Sequence, residues 1–240
     1  MIVLGMDTAT SSTAVALRLA DGATLERRDD PAVGQHPGHA TRLLRMAGEL
    51  LAESGIDFSE IGLLAVGSGP GTFTGLRVGL ATARGLAQSL GVSLTPVSSL
   101  RALATAALAD DTSADPCDGV LAVIDARRGE VFVAGYGRQG EALSSPRAVR
   151  PEDLGGILSE LPSTSARLAI GDGAVRYREQ LESRGLHVPC DKSPLHRVSA
   201  SRICELALAA EMPTPQSYQQ VLPDYLRRPD AELTLEAAKR

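Results

Sequence analysis

The sequence contains no tryptophan, three phenylalanines and four tyrosines, so aromatic residues fill only 3 % of its 240 positions. The aromatic platforms on which single-stranded nucleic acid stacks therefore have few candidates. Basic residues are not in excess either. The 24 Lys and Arg face 29 Asp and Glu, a formal charge of −5, and no long basic run occurs. Such a chain is poorly suited to grip a phosphate backbone alone, and an RNA-related role needs a more basic partner. Cysteine is scarce and odd in number: Cys117, Cys190 and Cys204, with no Cys-x-x-Cys. These read as free thiols in a reducing compartment. No apolar run reaches the length of a membrane span, and no basic stretch precedes an apolar one near Ile2. A cytoplasmic protein with no membrane partner is expected.

Ala, Leu and Val dominate a hydrophobic content of 43 %, and mean hydropathy is zero. That is a globular composition, long enough for one large or two modest domains. Runs of strand length fall at Ile2–Met6, Thr13–Leu19, Leu63–Gly67, Leu94–Val97, Val120–Ile124, Val131–Tyr136 and Leu168–Ile170. Helical patterns lie between them at Pro37–Ser54, Gly75–Leu90, Leu100–Ala109, Glu152–Leu161, Ala174–Arg184 and Ala200–Ala210. Pro37 suits a first helical turn, Gly55 and Gly91 suit C-terminal stops, and Ser99 and Ser199 suit N-caps.

The elements repeat once. A strand ends at Asp7 with Gly22 15 residues on, and another ends at Asp125 with Gly140 also 15 residues on. LAVGSG closes at Gly69 and LAIGDG at Gly173, each a Gly-x-Gly at a strand exit before a helix. The offsets are 125 − 7 = 118 and 173 − 69 = 104, the difference falling where the second half has a shorter first helix. Both halves read β-β-β-α-β-α-β-α, which implies two similar α/β lobes with a cleft between them. The turn-prone segment Asp110–Asp118 marks the boundary. Lobes at 1–112 and 113–228 are expected, with a charged, mobile tail over 229–240.

Asp7-Thr8-Ala9-Thr10-Ser11-Ser12 is a hydroxyl-rich turn between two strands. Backbone N–H groups and hydroxyls in such a turn can cradle a phosphate, and Asp7 can face a bound Mg²⁺. Asp125-Ala126-Arg127-Arg128-Gly129-Glu130 is further from a phosphate loop; its Arg pair either binds an anion or solvates a turn. Gly67-Ser68-Gly69-Pro70-Gly71-Thr72-Phe73-Thr74-Gly75-Leu76-Arg77 is the most specific stretch. Its glycines precede a helix N-terminus, a geometry that can hold an anion, but no lysine makes it a Walker A loop. The plainer alternative is that the glycines let the strand exit pack tightly against the other lobe. On these grounds Asp7, Thr8, Gly69, Gly71 and Thr72 are the candidate cofactor contacts.

The chain resembles the TsaB family. The resemblance is carried in order by Val3-Leu-Gly-Met-Asp-Thr-Ala-Thr, His36 before an amphipathic helix, Ala65-Val-Gly-Ser-Gly-Pro-Gly-Thr-Phe-Thr-Gly-Leu-Arg-Val-Gly, Pro96-Val-Ser-Ser-Leu, Ile124-Asp-Ala-Arg-Arg-Gly-Glu-Val-Phe and Pro223-Asp-Tyr-Leu-Arg. It implies a duplicated actin-like (sugar kinase/Hsp70) fold. It also implies a non-catalytic subunit that pairs with the catalytic paralogue TsaD, joins the ATPase TsaE, and meets tRNA only through that complex. The complex transfers a threonylcarbamoyl group to the adenosine beside the anticodon, using threonylcarbamoyl-AMP made from threonine, bicarbonate and ATP. No catalytic residue and no cofactor is then expected on the isolated chain; ATP or ADP and a metal belong to the TsaD-containing complex. TsaD carries His-x-x-x-His on a helix, whereas this chain has His36-Pro37-Gly38-His39, which denies helical ligand spacing. His187 and His196 have no ligand-spaced companion, and no HExxH supports a metalloprotease-like hydrolase. A stand-alone ATPase or kinase is the other alternative, and it asks for a glycine at Ala9.

The partner surface follows from helix geometry. One face of Gly75–Leu90 is an ordinary apolar stripe. The opposite face, Val78, Ala81, Thr82, Gly85 and Ser89, is small and uncharged, which suits close approach of another helix. Pro37–Ser54 carries a broad apolar arc that includes Leu43, Met46 and Leu50. The resemblance implies that these two helices pair with TsaD or with a second copy of the chain.

Overall fold

A computed structural model describes residues 1–32, 35–109, 119–161, 168–210 and 218–227. The expected boundary Asp110–Asp118 and the tail 229–240 lie outside the described residues. The first half runs β1 (Ile2–Asp7), β2 (Thr13–Arg18), β3 (Thr24–Asp29), α1 (His39–Ser54), β4 (Ile61–Gly69), α2 (Phe73–Leu90), β5 (Ser93–Ser98) and α3 (Ser99–Leu108). The second runs β6 (Gly119–Arg127), β7 (Glu130–Gly137), β8 (Arg147–Val149), α4 (Leu154–Glu160), β9 (Leu168–Ile170), α5 (Asp172–Arg176), α6 (Arg178–Glu182) and α7 (Ala200–Ala209).

Two mixed sheets result, in the orders β3-β2-β1-β4-β5 and β8-β7-β6-β9. In each, the first three strands are antiparallel neighbours and the fourth lies parallel to the first. This is the duplicated actin-like architecture. Gly22 and Gly140 both take positive φ, 98° and 77°, at the turns after the second strand of each sheet. The repeat reaches atomic detail: Asp7 Oδ1 accepts the N–H of Ala9, and Asp125 Oδ1 accepts that of Arg127, each at 2.9 Å.

Strand alternation sorts the core. Leu4 and Met6 face outward with Leu43, Leu50, Leu80 and Ala83 of α1 and α2. Val3, Ala14, Ala16 and Ala65 face inward toward α3 and α7. On the second sheet Val120, Ala122 and Ile124 face that same middle layer, while Leu121 and Val123 face α4, α5 and α6. The molecule is thus stacked helix, sheet, helix, sheet, helix. The middle helices are exchanged: α3, from the first half, packs on β6, while α7, from the second, packs on β1 and β2. Glu26 on β3 locks that exchange. Its carboxylate accepts from the hydroxyls of Ser199 and Ser201 at 2.8 and 2.6 Å and from the N–H groups of Ala200 and Ser201, capping α7.

Several local expectations shift. Gly55 and Gly91 end α1 and α2 in left-handed geometry as expected, and Ser199 caps α7. The cap of α3 is Ser98 rather than Ser99, because the Ser99 hydroxyl is spent on Asp7. Pro37 lies outside α1, which starts at His39 behind Gly38. The helix expected over Ala174–Arg184 is broken at Tyr177, which leaves helical geometry (φ −113°, ψ 34°). A fifth strand of the second sheet is reduced to one parallel bridge, Leu168 to His187, with Ala169 donating to the His187 carbonyl at 2.8 Å. Among the described residues no helix is long and apolar enough to cross a membrane.

Candidate functional site

Each lobe has two strand-exit turns, after β1 and β4 in the first and after β6 and β9 in the second. In the first lobe the turn after β1 is filled by the protein itself. Asp7 is 1 % exposed; its Oδ2 accepts the Ser99 hydroxyl at 2.7 Å. Burial pushes its carboxyl above the usual range, opposed by the hydrogen bonds from Ser99 and Ala9. Thr8 donates to the Gly75 carbonyl at 2.7 Å, and Thr72 N–H donates to the Ala9 carbonyl at 2.7 Å. Thr72 also caps α2, its hydroxyl accepting from Gly75 N–H at 3.3 Å. The N–H groups of Ala9, Thr72 and Gly75 are thus engaged within the chain.

Glycine makes this closure feasible. A Cβ on Gly67 would collide with Asp7 Oδ2, on Gly71 with the Ala9 carbonyl, on Gly75 with the Thr8 carbonyl and on Gly79 with the Thr8 hydroxyl. The four glycines recur every fourth residue and lay β4 and α2 directly on the turn. The plainer alternative, tight packing, describes them, although the neighbour is the turn of their own lobe. Of the candidate cofactor residues, Asp7, Thr8, Gly71 and Thr72 meet at one point, each in an internal contact. Gly69, at φ +112°, sits at the rim under the backbone of Asp224.

The second lobe's turn is more open. Arg127, Arg128 and Gly129 all take positive φ, 63°, 53° and 79°. Asp125 Oδ2 lies 3.3 Å from Arg127 Nη1 and 3.2 Å from Arg176 Nη1, and Asp125 N–H donates to Asp172 Oδ1 at 2.9 Å. Burial, together with the Asp125 charge, pushes the Asp172 carboxyl up to about 6. The Gly171-Asp172-Gly173 exit is closed like its counterpart: a Cβ on Gly171 would strike the Val123 carbonyl. His196 holds this exit. Its Nε2 faces the Pro189 carbonyl at 3.1 Å and so donates, leaving Nδ1 to accept from Gly171 N–H at 3.2 Å.

The histidine pair does not converge on a metal. His39 is buried with Nδ1 2.8 Å from the Thr13 hydroxyl, while His36 is exposed. Burial lowers the His39 pKa, so it sits neutral at pH 7. Its Nδ1 is engaged with the Thr13 hydroxyl, and among the described residues no group of three or more His, Cys, Asp or Glu side chains stands together as a metal would need.

The partner candidates divide. Leu43, Met46 and Leu50 are buried in the core of their own lobe; α1 has a single apolar face, and the sheet takes it. They are corrected to core residues, and the exposed apolar side chain of α1 is Leu44. On α2, Ala81, Gly85 and Ser89 are exposed and Val78 and Thr82 half-buried. A Cβ on Gly85 would meet open space. A further feature, carried in the sequence by Pro223-Asp-Tyr-Leu-Arg, has no counterpart among the candidate residues: 218–227 runs along α2.

Comparison with known proteins places this geometry. The family model described as "TsaD: tRNA N6-adenosine threonylcarbamoyltransferase" matches residues 34–178. The "tRNA threonylcarbamoyladenosine biosynthesis protein TsaB" of Escherichia coli (strain K12) is 35 % identical over 172 residues, 65 % of this chain and 68 % of that protein. The protein of the same description from Haemophilus influenzae is 37 % identical over 134 residues, 55 % of this chain and 52 %, about half, of that relative. The solved structure of YeaZ from Pseudomonas aeruginosa superposes with a TM-score of 0.74 at 29 % identity, covering 93 % of this chain and all of that one.

Proposed function

Since the chain belongs to the TsaB family of tRNA threonylcarbamoyladenosine biosynthesis proteins, we propose that it is a non-catalytic scaffold or activator subunit. Its complex transfers a threonylcarbamoyl group to N6 of the adenosine beside the tRNA anticodon, in the cytoplasm, and the chain acts by pairing with a TsaD homologue. The supporting observation is the filled turn of the first lobe. Thr8 gives its hydroxyl to Gly75 and Thr72 gives its N–H to Ala9, and Gly71, Gly75 and Gly79 fill the space around the turn, where a kinase or ATPase of this fold offers donors and room to phosphate. That also disfavours a stand-alone nucleotide-hydrolysing reading. Fold likeness cannot assign a reaction, so the burden falls on the site.

TsaD docks, in this reading, on the uncharged face of α2, and TsaE joins that pair. A second copy of the chain takes the same face when TsaD is absent. Any ATP, ADP or metal belongs to the assembled complex, and tRNA is met through the partners, in keeping with a charge of −5. Reconstitution tests this. The purified chain, with threonine, bicarbonate, ATP and unmodified tRNA, is assayed alone and after adding the enzyme that makes threonylcarbamoyl-AMP and the TsaD and TsaE homologues of the same organism. Modified adenosine is expected only when TsaD is present, at a rate that falls when this chain is left out. Transfer without TsaD, or an equal rate without this chain, refutes the reading.

A further inference from the structure

Three sequence stretches converge where neither lobe alone explains them: the glycine-rich exit of β4, the turn after β6, and Pro223–Arg227. Residues 218–227 run along α2 in the opposite sense. Val221 is buried in the outer core, and its carbonyl accepts from Arg84 near the middle of α2. Four residues on, Tyr225 stacks on Phe73 in the first turn of α2 with ring centroids 5.3 Å apart, its hydroxyl accepting from Arg77 Nε at 3.2 Å. An extended segment covers at most ~14 Å in four residues and a helix ~10 Å in seven, so the two run in step. Between these points Asp224 N–H donates to the Ser68 carbonyl at 2.7 Å. Leu226 then packs into the middle layer, and Arg227 reaches the second lobe. Its Nη1 lies 3.3 Å from Glu130 Oε2 and 3.5 Å from the Ala126 carbonyl.

We propose that residues 218–227 are a clasp that sets the closure of the two lobes, fixed at Val221 and released at the Arg227 end. The two ends differ in kind. Val221 sits in apolar packing that salt does not weaken. Arg227 and Glu130 are each about a third exposed, at 27 % and 31 %, and a pair of that exposure is screened by salt. Tyr225 is also exposed, at 38 %. A tight turn, with Tyr225 N–H donating to the Pro223 carbonyl at 3.1 Å, separates the fixed part from the releasable part. Release frees the Phe73–Arg77 surface and the Ser68 carbonyl. It also removes a bridge between the exit of β4 and the turn after β6. The clasp is independent of which partner docks on α2.

Hydrogen–deuterium exchange of the full chain, compared with Arg227→Gln and Tyr225→Ala, tests it. Arg227→Gln is expected to raise exchange about two- to fivefold both in 223–227 and in the 126–130 turn, where Arg227 reaches Glu130 and the Ala126 carbonyl, while 218–221 and α2 beyond its first turn keep their protection. High salt should reproduce this in the wild type and add little in Arg227→Gln. Tyr225→Ala should loosen 223–227 and the first turn of α2. Loosening by Arg227→Gln confined to the strap's own amides, or no change anywhere, overturns the clasp between lobes.

Discussion

The hydroxyl of Ser99, in the first turn of α3, donates to Oδ2 of Asp7 at the end of β1 across 2.7 Å. One bond thus joins the first strand of the chain to the helix that crosses over to the second sheet. Ser99→Ala leaves the buried carboxylate with one donor fewer and should cost about 1–3 kcal/mol. The loss carries a pH signature. The Asp7 pKa is already raised by burial, and Ser99 opposes that rise. A carboxyl with a raised folded pKa makes folding less favourable as pH climbs from its unfolded value through the folded one. Removing Ser99 lifts the folded pKa further. Urea unfolding should therefore show a larger deficit at pH 8 than at pH 5; equal deficits would detach Ser99 from the charge on Asp7.

Gly75 and Gly85 lie ten residues apart on α2 and should respond oppositely to alanine. At Gly75 the new Cβ meets the backbone carbonyl of Thr8. The turn or the helix must move, and a loss of about 2–4 kcal/mol is expected. At Gly85 nothing lies within 4 Å, and alanine should gain up to about 1 kcal/mol from helix propensity. Chemical denaturation of the two variants measures the contrast. A mild Gly75→Ala would mean that the turn is not closed by α2.

Much of this arrangement was legible in the sequence. Strand periods, the paired Asp-to-Gly intervals and the caps at Gly55, Gly91 and Ser199 are local signals, and they found the elements and the duplication. The strands β3 and β8 were assigned no residues because TLERRD and RAV carry no clean alternation. The missing fifth strand of the second sheet leaves no pattern either. The exchange of α3 and α7 is a tertiary choice, made by contacts such as Glu26 to Ser201 over 175 residues. At the site, sequence singled out Asp7, Thr8, Gly69, Gly71 and Thr72 as cofactor contacts, and the fold brings all but Gly69 to one point. Sequence could not show that Thr8 and Ala9 would take Gly75 and Thr72 as their partners. Leu43, Met46 and Leu50 were legible as apolar, but an apolar stripe does not say whether its own sheet or another chain covers it.

Asp172 offers a separate titration. Its carboxyl accepts the Asp125 N–H, and it is pushed up to about 6 by burial and by the neighbouring Asp125 charge. Being raised, it lowers stability as pH rises from about 4 through 6. Asp172→Asn keeps an acceptor for Asp125 N–H and removes the charge. The variant should match the wild type near pH 4 and exceed it at pH 8 by up to about 2 kcal/mol. A variant less stable than wild type at pH 8 would show that the Asp172 charge is held favourably by Arg127.

The partner surface gives the last test. Phe73, Arg77 and Arg84 on one flank of α2 are taken by the strap, and Gly75, Leu76, Leu80 and Ala83 face the core. At 100° per residue this leaves a strip through Ala81, Gly85 and Ser89, bordered by Val78 and Thr82, without a charge or a bulky group. Monomer packing does not explain the smallness of these residues, since Gly85 has open space around it. A helix from another chain does, because small side chains let two helix axes close to the short end of the usual 8–10 Å. Gly85→Arg and Ala81→Glu place a long or charged group on that strip while touching nothing inside the lobe. Both variants should melt within about 0.5–1 kcal/mol of the wild type and still give its circular dichroism. Self-association and binding to the TsaD homologue should fall together by at least tenfold, since burying an unpaired charge at a helix contact costs more than the ~1.4 kcal/mol that this represents. Size-exclusion chromatography and calorimetric titration read both. If Gly85→Arg loses self-association yet binds TsaD as the wild type does, the two partners use different surfaces; if it binds both normally, the strip is not an interface.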